Sequence, residues 1–370
     1  MTPIVQQNVL RLQDVLKKAS GTKESFDLSK LLQHFTIDTI AEIGFGCKLD
    51  TLTSGEVNPF EVAFDDANRI SSQRFAMPPW VWKTMRWLNI GGERRLREAI
   101  NEMNSLLMRL ISGAMELAEN GEESKEGQTT NNNIVSIIVN RMKNSNQEIT
   151  ATEVRDISLA GLEGGRNTTA DAMRWLFHAL SHHPHVQKKL RAEIVAKLPK
   201  FRESESFVPS HEDIQELPYL EATILELLRL YPAVPCVPYH CGQDTVLADS
   251  TFIRANTDII LSLYSAGRLT SIWGEDAAKF SPERFLDDNT GDLLKEPPAK
   301  YSAFSDGPRV CLGRNLAMLE LKIVVATIVS RFRFVEEPGQ DVRPSLDLSI
   351  GMKNPLMMRV EPALHEATSW

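Results

Sequence analysis

The decapeptide Phe304-Ser-Asp-Gly307-Pro-Arg309-Val-Cys311-Leu-Gly313 gathers an unpaired thiol, an arginine and two glycines. A thiolate, not a thiol, is the nucleophile and the metal ligand. Nearby positive charge and the free N–H groups of a helix N-terminus both favour it. Arg314 to Phe332 reads as a strongly apolar helix carrying Leu316, Leu319, Ile323, Val324 and Ile328, so Cys311 is expected at its N-terminus. Arg309 adds a fixed charge that can grip a carboxylate through two N–H groups. Gly307 and Gly313 free the backbone for turns and for close approach to a flat ligand. The set suits haem, with sulfur on the iron and Arg309 on a propionate. An isolated cysteine is most often a small buried hydrophobe. The spacing Phe-x-x-Gly-x-Arg-x-Cys-x-Gly favours the ligand.

A second constellation lies in Gly161-Leu-Glu163-Gly164-Gly165-Arg-Asn167-Thr168-Thr169. Thr150-Ala-Thr-Glu153 is a capping-box pattern that opens a long helix through this stretch, ending before Pro184. Each glycine inside a helix costs roughly 1 kcal/mol against alanine, so three of them ask for a reason. Gly161, Gly164, Gly165 and Thr168 share one face, a bare backbone strip ending in a hydroxyl. Close helix packing, with Thr168 bonded back to a carbonyl, is the plainer account. A macrocycle lying against the strip is the other.

A third segment, Leu220-Glu-Ala-Thr-Ile-Leu-Glu226-Leu-Leu-Arg229-Leu-Tyr-Pro232, sets Glu226 and Arg229 three residues apart on a leucine-rich helix. Such a pair is expected to be at least partly buried, where it must be fully hydrogen-bonded.

Taken in this order, the segments closely resemble the cytochrome P-450 superfamily of haem-thiolate monooxygenases. The decapeptide is similar to the family's haem-binding loop, which implies haem b on Cys311 with Phe304, Gly307, Arg309 and Gly313 around it. The glycine stretch is similar to the oxygen-activation motif, with Gly164 and Gly165 at the ring and Thr168 as the oxygen-activating threonine. Asn167 stands where the family has an acid, and an amide carries no proton. Glu163, one turn earlier, or a water chain is expected to replace it. Glu226 and Arg229 match the Glu-x-x-Arg helix, and Phe280-Ser-Pro-Glu-Arg284-Phe supplies Arg284 as the third, structural member. In Val234–His240 the family often has a basic residue for a propionate; His240 is the match, with Tyr239 second.

The resemblance implies a monooxygenase fed with electrons from NADPH by a flavoprotein reductase, with Arg314 and Lys322 as possible contacts for an acidic partner. It also implies a lipophilic substrate, a monomer, and the cytoplasmic face of the endoplasmic reticulum. Phe35–Gly46, Tyr264–Arg268 and Ile272–Asp276 resemble the fatty-acid omega-hydroxylase clan, pointing to terminal hydroxylation of a long-chain fatty acid. A haem-free remnant and a peroxide-driven peroxygenase are the competing readings. The similarity runs from about Phe26 and lacks the family's N-terminal anchor and first helices, so an N-terminally truncated fold is expected.

The elements that must position these residues are mostly helical. Apolar periodicity predicts helices over Pro3–Lys18, Asp27–Ile43, Glu93–Glu119, Thr150–Ser181, His185–Leu198, Leu217–Leu230 and Arg314–Phe332. Short β-prone runs fall at Thr245–Leu247, Thr251–Ile253, Asp258–Leu263, Arg333–Glu336 and Leu356–Val360. The expected fold is therefore mainly α with a small β region, one domain over 1–370 with a solvated, flexible loop at 119–133. Aromatic residues near Arg74–Trp87 read as core or pocket wall. The tract His182-His183-Pro184-His185 reads as solvated histidines at a helix boundary, since no carboxylate or cysteine stands at ligand spacing.

The 370 residues, 42% of them hydrophobic, can bury a large core. Four cysteines make no disulfide framework, so a reducing compartment is expected. A net charge of −8 argues against nucleic-acid binding.

Overall fold

The computed structural model describes residues 1–22, 24–54, 58–120, 133–143, 150–294, 300–346 and 348–363. The first half is helical: α1 (Thr2–Thr22), α2 (Leu28–Phe45), α3 (Thr51–Ser54), α4 (Pro59–Gln73), α5 (Pro79–Leu88), α6 (Gly91–Asn120) and α7 (Ile134–Lys143). The 32-residue α8 (Ala151–His182) follows, then α9 (Pro184–Lys197), α10 (Lys200–Glu203) and α11 (Pro218–Leu230). Two single turns, α12 (Leu263–Ala266) and α13 (Thr270–Trp273), lead to α14 (Arg314–Arg331).

The strands are short and pair antiparallel. β1 (Phe26–Asp27), β9 (Met357–Pro362) and β6 (Phe332–Glu336) form a three-stranded sheet in that order. Three two-stranded units pair β2 (Cys236–Cys241) with β5 (Thr257–Ser262), β3 (Thr245–Val246) with β4 (Phe252–Ile253), and β7 (Pro344–Leu346) with β8 (Ile350–Met352).

Local chemistry sets the ends of the helices. Asp27 caps α2 by accepting from the Ser29 and Lys30 amides, and Gly46 ends it at φ 68°, a conformation that glycine adopts without strain. At α8 the expected capping box is present: Thr150 accepts from the Glu153 amide, while the Glu153 carboxylate takes the Thr150 amide at 2.8 Å. The seven predicted helices all form. The sequence reading missed the helices α4, α5 and α7, the single turns α3, α10, α12 and α13, and the strands β1, β2, β7 and β8. The buried face of α4 is Phe60, Ala63, Phe64, Ala67 and Ile70, a helical period carried by small and aromatic residues instead of leucine. In β2, Pro238 masks a strand that tolerates it because, among the described residues, β5 alone pairs with it.

Two hydrophobic clusters meet along α8. Its second half, from Ala170 to Leu180, packs with α1, α2, α9, α11 and α14. Val154 and Leu162 of its first half join Ile37 and Ile40 of α2 with faces of α4, α6 and α7. Leu316, in the first turn of α14, packs against both clusters. Each fully buried large aliphatic or aromatic side chain there stabilises the fold by about 1.5–3 kcal/mol.

Two expectations are corrected. Phe75, Trp80 and Trp87 are 81%, 71% and 82% exposed, so this aromatic stretch is neither core nor a closed wall; Trp82 lies under Arg74 at 4.8 Å and Lys83 at 5.7 Å. Of the expected loop at 119–133, residues 121–132 lie outside the described residues, and α6 continues through Asn120. No described helix is long and apolar enough to cross a membrane.

Candidate functional site

Cys311 is a free, exposed thiol on a tight turn. Ser305 and Gly307 both have positive φ, 59° and 62°, and residues Gly307–Arg309 make one 3-10 turn. The Cys311 amide closes the loop by donating to the Phe304 carbonyl at 2.8 Å, and the Cys311 carbonyl accepts from the Arg314 amide at 3.3 Å. Gly313 caps α14, so the sulfur stands just before the helix, where its sequence position put it. Phe304 packs on the main core and takes the Arg314 guanidinium over its ring at 5.8 Å, which anchors both flanks of the turn. Arg309 is exposed, with no hydrogen bond or ion pair to any described residue. Leu312 is fully exposed.

On α8 the exposed strip is Gly161 and Gly164, continued by the half-buried Thr168. No atom lies within 4 Å of where a Cβ would stand on either glycine. Gly165 departs from the expected face: a Cβ there would meet Ile40 Cδ1 of α2 at 2.8 Å, so its hydrogen serves helix packing. The Thr168 hydroxyl donates to the Gly164 carbonyl of its own helix. Asn167 accepts from Arg166 Nη1 at 3.2 Å. Glu163 turns toward α4, away from the glycine strip. Burial raises its carboxyl above the usual range, and Asn68 and Arg166 offset part of that rise.

Glu226 and Arg229 are brought together as the spacing predicts. Glu226 accepts from Arg229 at 2.6 and 2.8 Å, and both side chains are almost wholly buried. Arg229 also donates to the carbonyls of Gly267, Ala277 at 2.6 Å and Lys279 at 3.0 Å. Glu226 accepts the Ser281 amide at 2.8 Å, and Arg284 Nε stands 3.6 Å from the same carboxylate. Arg284 itself donates to the Trp273 carbonyl at 2.8 Å. The cluster thus binds the segment 267–284 to α11.

His240 is exposed on β2 and held by Asp258 of β5 at 2.8 Å; that hydrogen bond raises its pKa. Lys322 is corrected as a surface contact: its side chain is buried and its Nζ lies 2.6 Å from Glu221 of α11. Arg314 remains exposed.

One charged cluster escaped sequence reading. Arg166 is buried with Glu61 at 3.2 Å and Asp65, both on α4, while His34 of α2 lies 3.3 Å from Glu61. Burial by itself would raise the Glu61 carboxyl, but His34 and Arg166 bring it below its ordinary range. The partners of Arg166 stand about a hundred residues before it, so no local spacing announces them.

A family profile described as cytochrome P450 matches residues 1–360, so the similarity starts at the first residue and not near Phe26. Cytochrome P450 86B1 of Arabidopsis thaliana is 33% identical over 360 residues, covering 95% of this chain and 63% of that protein. Cytochrome P450 94A1 of Vicia sativa is 34% identical over 333 residues, covering 88% and 61%. Alkane hydroxylase MAH1 of A. thaliana is 32% identical over 353 residues, covering 93% and 67%. The chain therefore spans a little over three-fifths of the length of the first two. Among solved structures, the cytochrome P450DA heme domain superposes with a TM-score of 0.81 at 20% identity, covering 98% of this chain and 73% of that one. At that identity the likeness concerns the fold: mainly α, with small antiparallel sheets. With the family profile running through 360 of 370 residues and the same fold beneath it, the chain belongs to the cytochrome P450 family.

Proposed function

We propose that this chain binds haem b through Cys311 and forms the oxygen-inserting part of a monooxygenase that hydroxylates a long-chain fatty acid at or near its terminus. The observation that carries the reading is the Cys311 turn: a free, exposed sulfur fixed by the bond from its amide to the Phe304 carbonyl, at the foot of α14. The residues fit the group. A bare backbone at Gly161 and Gly164 suits a flat ring, and Arg309 is free to meet a carboxylate. Leu312 and Ile157, the latter one turn before Gly161, offer exposed apolar surface to such a ring.

Bound to a thiolate, haem supplies activation of dioxygen for insertion into a C–H bond. The protein supplies the rest. Cys311 Sγ is the ligand, and Arg309 pairs with a propionate, with His240 a second cation once it leaves Asp258. Thr168 Oγ1 can turn from the Gly164 carbonyl and present its proton on the open face. Asn167 offers an amide, so the proton must reach Thr168 from water or another acid; Glu163 points away, which favours water. Glu226, Arg229 and Arg284 hold the segment leading into the thiol loop and touch no reacting atom.

Electrons come, on this reading, from NADPH through a flavoprotein reductase, for which exposed Arg314 is a contact. The aliphatic substrate is supported by the name of a relative, alkane hydroxylase. The resemblance alone supports a site at the cytoplasmic face of the endoplasmic reticulum. Reconstitution with haem, NADPH, a plant flavoprotein reductase and a long-chain fatty acid tests it. The expected product is the terminal hydroxy acid. Product with hydrogen peroxide alone supports a peroxygenase, and failure to take up haem supports a haem-free remnant.

A further inference from the structure

His178 and His182 stand one turn apart near the end of α8, where residues four apart share a face. Glu336, the last residue of β6, meets them there from 158 residues beyond His178. His178 Nδ1 lies 2.6 Å from Glu336 Oε2, and His182 Nδ1 lies 3.7 Å from the same oxygen. The two imidazoles are 4.6 Å apart, and one ligand atom from each of the three residues falls within 4.8 Å of the others. This overturns the expectation that the histidines here lack a carboxylate. The sequence tract covers only part of the cluster: His182 takes part, His183 is tied by Nδ1 to the Ala179 carbonyl at 2.8 Å, and the second participating ring, His178, lies before the tract.

We infer that His178, His182 and Glu336 form a binding site for a divalent transition-metal cation of the zinc class, with solvent completing the coordination. Two imidazoles and a carboxylate are a donor set for such ions, and three protein ligands leave a position for water. Donors about 2.0–2.1 Å from a tetrahedral ion lie about 3.3 Å from one another. The two separations to Glu336 bracket that value, so one opens and the other closes by under an ångström.

The surroundings steer the ligands. His178 and Glu336 are mostly buried, and the Trp175 ring stands edge-on to His178 at 5.7 Å, which holds its imidazole in place. His182 is 54% exposed and now donates to the His178 carbonyl at 3.0 Å, so it is the ligand that turns in as the ion arrives from solvent. Both histidines line a cleft of about 440 Å³ with Tyr231 and Phe280, which gives the open position access to water. Along α8 the site lies about 15 Å beyond Thr168, at 1.5 Å per residue. The ion would pin the end of α8 to β6, apart from the oxygen-activating face.

The test uses tag-free, haem-loaded protein stripped with a chelator and then dialysed against zinc. Zinc per chain is counted by mass spectrometry, and Kd is read by competition with a chromophoric chelator. One bound zinc per chain is expected, and zinc should raise the melting temperature. His182→Ala and Glu336→Gln should each weaken binding on the order of tenfold or more, since loss of even an outer partner of a metal site has that effect. His182 is exposed, so its variant keeps the packing of α8; circular dichroism checks both variants. His185→Ala should bind as the parent does. Absence of stoichiometric zinc at micromolar free ion, parental affinity in His182→Ala, or loss of binding in His185→Ala would each overturn the assignment.

Discussion

Glu226 holds Arg229 through two hydrogen bonds of 2.6 and 2.8 Å, sealed from water, and Arg229 spends its remaining donors on three backbone carbonyls of the segment 267–279. The ion pair therefore acts as a clamp on chain that has little helix or strand of its own. Every N–H donor of the guanidinium is used, which is the condition under which a buried pair is tolerated.

Removing one partner should be far worse than weakening it. Glu226→Ala leaves a buried, uncompensated guanidinium, and a loss of about 3–5 kcal/mol is expected in urea denaturation. Glu226→Gln keeps one acceptor and should lose less. Gly267→Ala should also destabilise strongly, because a Cβ there would stand 1.9 Å from the Arg229 carbonyl oxygen. A Glu226→Ala variant within 1 kcal/mol of the parent (roughly the value of an exposed pair) would show that the clamp carries nothing.

Adjacent glycines of α8 should respond in opposite ways. Gly164→Ala meets no atom and removes a flexible residue from a helix, so the haem-free protein should gain up to about 1 kcal/mol. The same methyl stands on the face proposed for the ring, so haem uptake should fall. Gly165→Ala pushes on Ile40 and should cost about 1–3 kcal/mol. Thermal melts and haem absorbance on both variants check this. Normal haem content in a stabilised Gly164→Ala protein would remove the strip from the site.

Stability should carry a signature from Glu320, which is buried in α14 and whose pKa burial raises to about 8. Its folded pKa lies above the ordinary value, so the folded state binds the extra proton between about pH 4.5 and 8. Stability from this group is intact below the unfolded pKa and is lost as pH climbs toward 8, by on the order of a few kcal/mol. Glu320→Gln should flatten that decline and exceed the parent in stability at pH 8. Parallel pH profiles for parent and variant would contradict the assignment.

Thr168→Ala should leave folding and haem content intact, since among the described residues its hydroxyl bonds only to its own helix. On the proposed chemistry, product formed per NADPH should fall on the order of a hundredfold. Unchanged coupling would take Thr168 out of proton delivery.

Much of this was legible in the chain itself. Helices with aliphatic periods, such as α11 and α14, and the capping box at Thr150 follow from local spacing. The Glu226–Arg229 pair and the thiol before α14 were legible for the same reason: their partners lie within a few residues. What escaped depends on distant chain. Arg166 finds Glu61 and Asp65 on α4, Lys322 is drawn inward by Glu221, and Glu336 reaches His178 from β6. Gly165 was misread because helical spacing gives its angular position but not the neighbour, Ile40, that fills it.

The account stands most directly on the sulfur of Cys311. Parent and Cys311→Ser proteins, loaded with haem and reduced under carbon monoxide, should differ in one respect. The parent should give the red-shifted Soret band of a thiolate-ligated haem, and the serine variant should lack it and form no hydroxylated product. The same band and the same product from the serine variant would contradict the assignment outright.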